Sequence, residues 1–368
     1  MKINPIYNGA KVRPTCIDLF CGAGGLSLGF MMAGGDPIGG VDNDADSIAT
    51  FRELFPKALQ LHHGNIESWN PSSALDGVDV IIGGPPCQGF SLARGLRFVD
   101  DPRNHLYKEF VRALAYYKPK WFVMENVQGI TNLGKGVILN QILEDFEELG
   151  YSVEYKVVNM AEYGVPQLRK RAVFVGNKLG EKFSWPEPMF RKQNGSQKII
   201  NKALPNYISV NEALGDILLP VGNFFSHRAN AQMRGPRNRC AHTEPAYTLR
   251  VRGDEFALCE LPASSAFIPG PAPEEPFSFS EISNEIQEYF RHKGPKWVQP
   301  AEIKIQKRAS TNPLKGTRKL TVREQARLQS FPDWINFHGT RYSQARQIGN
   351  AVPPLFAYHL FKRIFEYL

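Results

Sequence analysis

The sequence predicts a doubly wound α/β domain carrying a smaller domain of short strands and loops. Three observations predict it. A β-branched strand, Thr15-Cys-Ile-Asp-Leu-Phe20, runs into the glycine turn Cys21-Gly-Ala-Gly-Gly25 and then a helix from Leu26. A second buried-strand run, Val78-Asp-Val-Ile-Ile82, is stopped by Gly83-Gly-Pro-Pro86. Strand and helix patterns alternate from residue 15 to about 177, the signature of α/β architecture.

Taken in order, the turn after the first strand uses glycine so that backbone can approach a ligand and helix can pack on strand. Its pattern is GxGG and not the GxGxxG of dinucleotide folds, which leaves a nicotinamide dehydrogenase poorly supported. Pro37-Ile-Gly-Gly-Val41 is the second strand, and Asp42 at its tip can accept both hydroxyls of a ribose. Asp44 to Phe55 has helical spacing, and Leu59 to His62 is a short third strand ending at Gly64-Asn65-Ile66. After Val78–Ile82, proline and glycine leave Cys87 in a tight loop at the C-terminal end of a central strand, the edge where open α/β sheets bind ligands. A helix from about Tyr107 to Tyr117 follows, then Trp121-Phe-Val-Met-Glu-Asn-Val127, a buried strand with Glu125 near its end. Val137–Leu149 reads as an amphipathic helix, Tyr151–Val158 and Ala172–Asn177 as strands.

From about Lys178 to Arg318 the alternation fades, and basic residues are scattered as in Met233-Arg-Gly-Pro-Arg-Asn-Arg239. Thr321 and Glu324 then form a capping-box pattern ahead of a helix. Pro354 opens a final amphipathic helix that is expected to pack back on the first domain. The organisation expected is therefore 1–177, an inserted 178–318, and a C-terminal return over 319–368.

The chain has 368 residues, 42% hydrophobic and 22% charged, with a net charge of +8, which suits a polyanionic partner. No apolar run approaches the roughly 18 residues of a membrane span, and the N-terminus lacks the apolar core of a signal peptide. Five cysteines without CxxC spacing speak against a disulfide framework or a metal site and for a reducing cytoplasm.

With these pieces in order, the chain resembles the DNA (cytosine-5)-methyltransferases of bacterial restriction-modification systems. The resemblance rests on Asp18-Leu-Phe-Cys-Gly-Ala-Gly-Gly25, Gly84-Pro-Pro-Cys-Gln-Gly-Phe-Ser91, Glu125-Asn-Val127 and Gln167-Leu-Arg-Lys-Arg171. It continues through Arg318-Lys-Leu-Thr-Val-Arg-Glu-Gln-Ala-Arg-Leu-Gln-Ser-Phe-Pro332 and Gln347-Ile-Gly-Asn-Ala-Val-Pro-Pro354. It covers nearly the whole chain except the insertion, and all six motifs stand in the family's order. It implies a Rossmann-like S-adenosylmethionine-dependent catalytic domain, a target-recognition domain, and a DNA cleft between them.

The chemistry gives these residues their reason. Carbon 5 of cytosine is too weak a nucleophile to take a methyl group from a sulfonium directly; a thiolate added to carbon 6 makes carbon 5 an enamine carbon. The resemblance assigns Cys87 as that nucleophile, Glu125 as the contact to ring nitrogen N3, Arg171 as the group that holds the base carbonyl and orients Glu125, and Arg169 as an aid near the thiol. It implies S-adenosylmethionine as cofactor and S-adenosylhomocysteine as product, bordered by Phe20, Gly22, Gly24, Gly25, Asp42, Asn65, Pro86, Leu106 and Asn350. Asn65 departs from the family's usual aspartate; its side-chain oxygen can still accept from adenine, so a modest change in affinity is expected. A base inside a duplex has to be flipped out to react, and Ser91 and Thr248 resemble the family's phosphate contacts. Arg252 is a candidate base or backbone contact. A monomer in a bacterial cytoplasm, acting on double-stranded DNA, suffices for this chemistry. Rival readings are a tRNA cytosine-5 methyltransferase on the same scaffold, against which the long insertion speaks, and a non-catalytic DNA-binding regulator, against which the intact Cys87, Glu125, Arg169 and Arg171 speak.

Overall fold

The structure, a computed structural model, describes residues 13–86, 106–192, 204–214, 224–227, 237–240, 244–249, 256–259 and 317–368. The chain forms two compact units. The first comprises Met1–Asn159, Lys170–Glu187 and Val352–Leu368; the second comprises Met160–Arg169 and Pro188–Ala351. This division differs from the boundaries read in the sequence, because the segment around Gln167 and most of the C-terminal return fall with the insertion.

In the first unit the strands are β1 (Thr15–Leu19), β2 (Asp36–Asp42), β3 (Gln60–His63), β4 (Val80–Gly83), β5 (Trp121–Val127) and β6 (Ser152–Asn159). After the short strand β7 (Gln167–Leu168) of the second unit comes β8 (Lys170–Asn177). They form one seven-stranded sheet in the order β3-β2-β1-β4-β5-β8-β6. The first five are parallel, whereas β8 runs antiparallel to both β5 and β6. The strand order reverses between β1 and β4, where Leu19 pairs with Gly83, and the chains leaving those two strands open the crevice in which such sheets bind ligands.

Helices α1 (Gly25–Met32), α2 (Ala45–Leu54), α3 (Leu106–Tyr117) and α4 (Val137–Glu148) connect these strands. Six of the eight α1 residues are buried, so this largely apolar helix, broken only by Ser27, is covered by packing on more than one side. The cover opposite the sheet is the C-terminal helix Pro354–Ile364, with proline in its first turn. Phe30 of α1 meets Phe361 and Phe365 edge-on at 5.0 Å. On the other face, Phe110, Phe122, Phe146 and Tyr151 form a ring cluster, with Phe122 and Phe146 4.4 Å apart. Burying each such ring contributes roughly 1.5–3 kcal/mol. Asp44 caps α2 by accepting the Ser47 N–H at 2.9 Å, which fixes the exit from Asp42.

The second unit holds α5 (Val210–Leu214), β9 (Phe224–His227), β10 (Arg237–Cys240), β11 (Ala246–Tyr247), β12 (Phe256–Cys259) and β13 (Thr317–Lys319), then α6 (Val322–Leu328) and α7 (Arg341–Asn350). Strands in the order β10-β9-β12-β13 form an antiparallel sheet, while β11 pairs in parallel with β7. Thr321 and Glu324 close a reciprocal capping box at the start of α6, the arrangement that the sequence predicts.

Candidate active site

Beyond β1 the backbone turns sharply. Phe20 adopts φ 61°, a conformation costly for a bulky residue and held here by its packing on the core. Gly22 (φ +51°) and Gly24 (φ +82°) continue the turn. A Cβ at Gly24 would lie 2.6 Å from the Phe55 ring, whereas one at Gly22 would meet nothing within 4 Å. Glycine is thus needed at 24 for packing, and the chain at Gly22 borders open space. Gly25 begins α1, and Leu106 begins α3 against the same core.

Asp42 ends β2 with its carboxylate turned to this loop. Oδ2 accepts the Gly22 N–H at 2.8 Å and Oδ1 the Asp44 N–H at 2.9 Å. These bonds orient the carboxylate toward the glycine turn. Asn65 is exposed ahead of a 3-10 turn, Ile66–Ser68, and its side chain makes no capping bond there. An open glycine turn, an oriented carboxylate and an outward amide fit a nucleoside-bearing cofactor.

The second group gathers at the ends of β4, β5 and β8. Glu125 pairs across from Val173, and Arg171 lies two residues on along the antiparallel ladder, on the same sheet face. Arg171 Nε stands 2.9 Å from Glu125 Oε1 with both side chains largely buried. The contact is an ion pair off the hydrogen-bond axis. A Cβ at Gly84 would lie 3.4 Å from Glu125 Oε2, so the absence of a side chain at 84 leaves room for that carboxylate. Next along the strand, Asn126 donates from Nδ2 to the Pro85 carbonyl at 3.0 Å and accepts the Val127 N–H at 2.9 Å. The half-buried Pro86 follows at once. Glu125 and Asn126 therefore border and hold the segment that leads into Cys87.

In the second unit, the Thr248 hydroxyl donates to the Leu168 carbonyl, Arg169 is 1% exposed, and Asn350 ends α7 exposed. Arg169 donates from Nη1 to the Leu249 carbonyl at 3.4 Å and the Gly349 carbonyl at 3.2 Å. Cys87, Ser91 and Arg252 lie outside the described residues.

Sequence reasoning gave no role to Asn126, nor to the pair beneath the glycine turn. Asp18 is buried in β1 and accepts the Ser27 hydroxyl of α1 at 2.6 Å. Burial, with a smaller push from Asp42, raises its carboxyl to about 7 against the pull of the Ser27 bond. The thiols of Cys16 and Cys21 are likewise pushed up by burial and neighbouring carboxylates. A polar residue inside an apolar run was the visible signal at Asp18.

The fold is that of an α/β domain of the methyltransferase class. The chain belongs to the C-5 cytosine-specific DNA methylase family, whose pattern matches residues 14–366, and is a DNA (cytosine-5)-methyltransferase. It is 37% identical over 349 residues to Type II methyltransferase M1.HphI of Haemophilus parahaemolyticus, across 93% of this chain and 84% of that protein. Type II methyltransferase M.XorII of Xanthomonas oryzae pv. oryzae is 34% identical over 379 residues, covering 94% and 83%. Among solved structures, a mutant of Spodoptera frugiperda DNMT2 shares the fold with TM-score 0.62 at 18% identity, covering 96% of this chain and 99% of that one.

Proposed function

We propose that the chain methylates carbon 5 of one cytosine in a short recurrent motif of double-stranded DNA, with Cys87 as nucleophile and S-adenosylmethionine as methyl donor. The observation that carries this reading is the Glu125–Arg171 pair beside Gly84, with Asn126 on the Pro85 carbonyl, immediately ahead of Cys87. When bound, S-adenosylmethionine supplies an electrophilic methyl group. Phe20, Gly22, Gly24, Gly25, Asp42, Asn65, Pro86, Leu106 and Asn350 are the residues assigned to hold it.

The thiolate of Cys87 adds to carbon 6 of the flipped base, which makes carbon 5 nucleophilic. Glu125 holds proton density at ring nitrogen N3 as negative charge develops on the ring, and Arg171 fixes the orientation of that carboxyl. Once carbon 5 carries the methyl group, its proton passes to solvent, and the electrons of that C–H bond re-form the 5,6 double bond as the C6–S bond breaks and the thiolate leaves. Arg169 serves from a buried position through the carbonyls it holds. Ser91, Thr248 and Arg252 are assigned to the DNA. The relatives named as Type II methyltransferases support a role in restriction-modification, which we read as protection of DNA from a matching endonuclease by a monomer in a bacterial cytoplasm.

Transfer of labelled methyl to unmethylated genomic DNA, followed by bisulfite sequencing, tests the reading. Methylation at one recurrent motif is expected in the wild type and none in Cys87→Ala, which should still bind S-adenosylhomocysteine. Incorporation into tRNA in place of DNA would overturn the substrate assignment, and wild-type turnover by Cys87→Ala would overturn the nucleophile.

A further inference from the structure

Within the second unit, three buried side chains form a connected set that the chemistry above does not use directly. Gln167 and Gln329 are fully buried, and Arg169 is nearly so. Gln167 Oε1 accepts the Leu249 N–H at 3.0 Å, while its Nε2 donates to the Leu328 carbonyl at 2.8 Å and to Gln329 Oε1. Gln329 Nε2 donates in turn to the Ala351 carbonyl. Arg169 Nη1 reaches the carbonyls of Leu249 and Gly349.

Two backbone segments are gripped in this way. Leu249, next to Thr248, has its N–H held by Gln167 and its carbonyl by Arg169. Asn350 has the carbonyl before it held by Arg169 and the carbonyl after it held by Gln329. The orientation of each amide is fixed by its partners: turning Gln329 over would set oxygen against the Ala351 carbonyl, and turning Gln167 over would set a donor against the Leu249 N–H. The two amides thus have one satisfied arrangement, and moving either segment alone takes a buried donor or acceptor from its partner.

We propose that Gln167, Arg169 and Gln329 are positioning residues that couple the Thr248–Leu249 segment to the Gly349–Ala351 segment, so that DNA at the first tightens cofactor binding at the second. This rests on the reading of Thr248 as a DNA contact and Asn350 as a cofactor contact. Coupling of this kind is reciprocal, and cofactor tightens DNA by the same factor.

Calorimetry of S-adenosylhomocysteine binding to the full-length protein, with and without sheared unmethylated phage DNA, reads the coupling as a ratio of two Kd values. The wild-type ratio is expected at roughly tenfold. In Gln329→Glu, whose carboxylate cannot donate to the Ala351 carbonyl, the ratio should fall to within about twofold of unity. Gln329→Met and Arg169→Lys read the same ratio should the buried charge prevent folding, with a melting curve certifying each protein. A merely structural role would lower the melting temperature and leave the ratio at the wild-type value, which overturns the proposal, as does a wild-type ratio of one. Failure of the underlying reading is separate: Asn350→Ala would then leave S-adenosylhomocysteine affinity unchanged, and Thr248→Val would leave DNA affinity unchanged.

Discussion

Glu125 and Asp18 are both carboxyl groups in one sheet, and their surroundings put them to different uses. Glu125 has a guanidinium 2.9 Å away and a loop glycine beside it, and it is the group proposed to meet the flipped base. Glu125→Gln keeps the shape but loses the ionisable group. Its kcat should fall by about 10²–10⁴-fold with DNA affinity retained, as steady-state kinetics and a filter-binding assay would show. Asp18 is sealed between β1 and α1, where the Ser27 hydroxyl and the Ser27 backbone donate to it. Its folded pKa of about 7 lies above that of an unfolded aspartate, so the native state keeps a proton that the unfolded chain has already released. Its contribution to stability is full at acid pH and is lost as pH rises through about 7. The melting temperature of the wild type should therefore drop more between pH 5 and pH 8 than that of Asp18→Asn, and parallel curves would refute this. Glu125 was singled out in the sequence near the end of an apolar strand, whereas Asp18, a charge inside one, was given no role. What the sequence did not reveal was the sealing of Asp18 by Ser27, because a helix facing a strand is a tertiary event.

At the level of elements, α1 is held between the sheet and the C-terminal helix, and glycine sets how close the two helices come. A Cβ at Gly29 would lie 2.3 Å from that of Ala357 and 2.7 Å from the Pro354 carbonyl. Both obstacles are backbone or Cβ atoms that cannot rotate away. Gly29→Ala should accordingly destabilise the protein by about 1–3 kcal/mol, read from the urea midpoint, despite alanine's better helix propensity. Elements with a local cause were legible: the capping box at Thr321, proline at the start of the last helix, and the apolar runs that became β1, β4 and β5. Helix α7 escaped because its sequence, Arg-Tyr-Ser-Gln-Ala-Arg-Gln-Ile-Gly-Asn, buries few apolar side chains and has no stripe to detect. The two-residue strands β7 and β11 are too short for any periodicity. The antiparallel placement of β8 between β5 and β6 depends on strand direction, which side-chain alternation does not encode.

For the molecule as a whole, the first unit supplies the switch-point crevice from residues whose pattern was readable, whereas the second unit gathers Gln167, α6 and α7 with the insertion. A sequence boundary is drawn where periodicity changes, but a compact unit is held by bonds that span the chain, and Gln167 reaches Leu249 and Leu328 across long stretches of it. The charge of the chain, +8, acts at this same scale. Lysine and arginine bound to phosphates release condensed counterions from DNA, so each contact steepens the dependence of affinity on salt. The proposed cofactor site, by contrast, centres on a glycine turn and a carboxylate held by two backbone N–H groups. These contacts are short-ranged and release no ion atmosphere. Raising salt from 50 to 200 mM should therefore weaken DNA binding by at least about 10²-fold. S-adenosylhomocysteine affinity without DNA should change by less than about twofold under the same conditions, since screening acts weakly on a partly buried site. Fluorescence anisotropy with labelled duplex and calorimetry with the free cofactor product would measure the two. A shallow salt slope for DNA would mean that the excess positive charge lies away from the duplex, and the insertion would then hold its target chiefly by uncharged contacts to base edges.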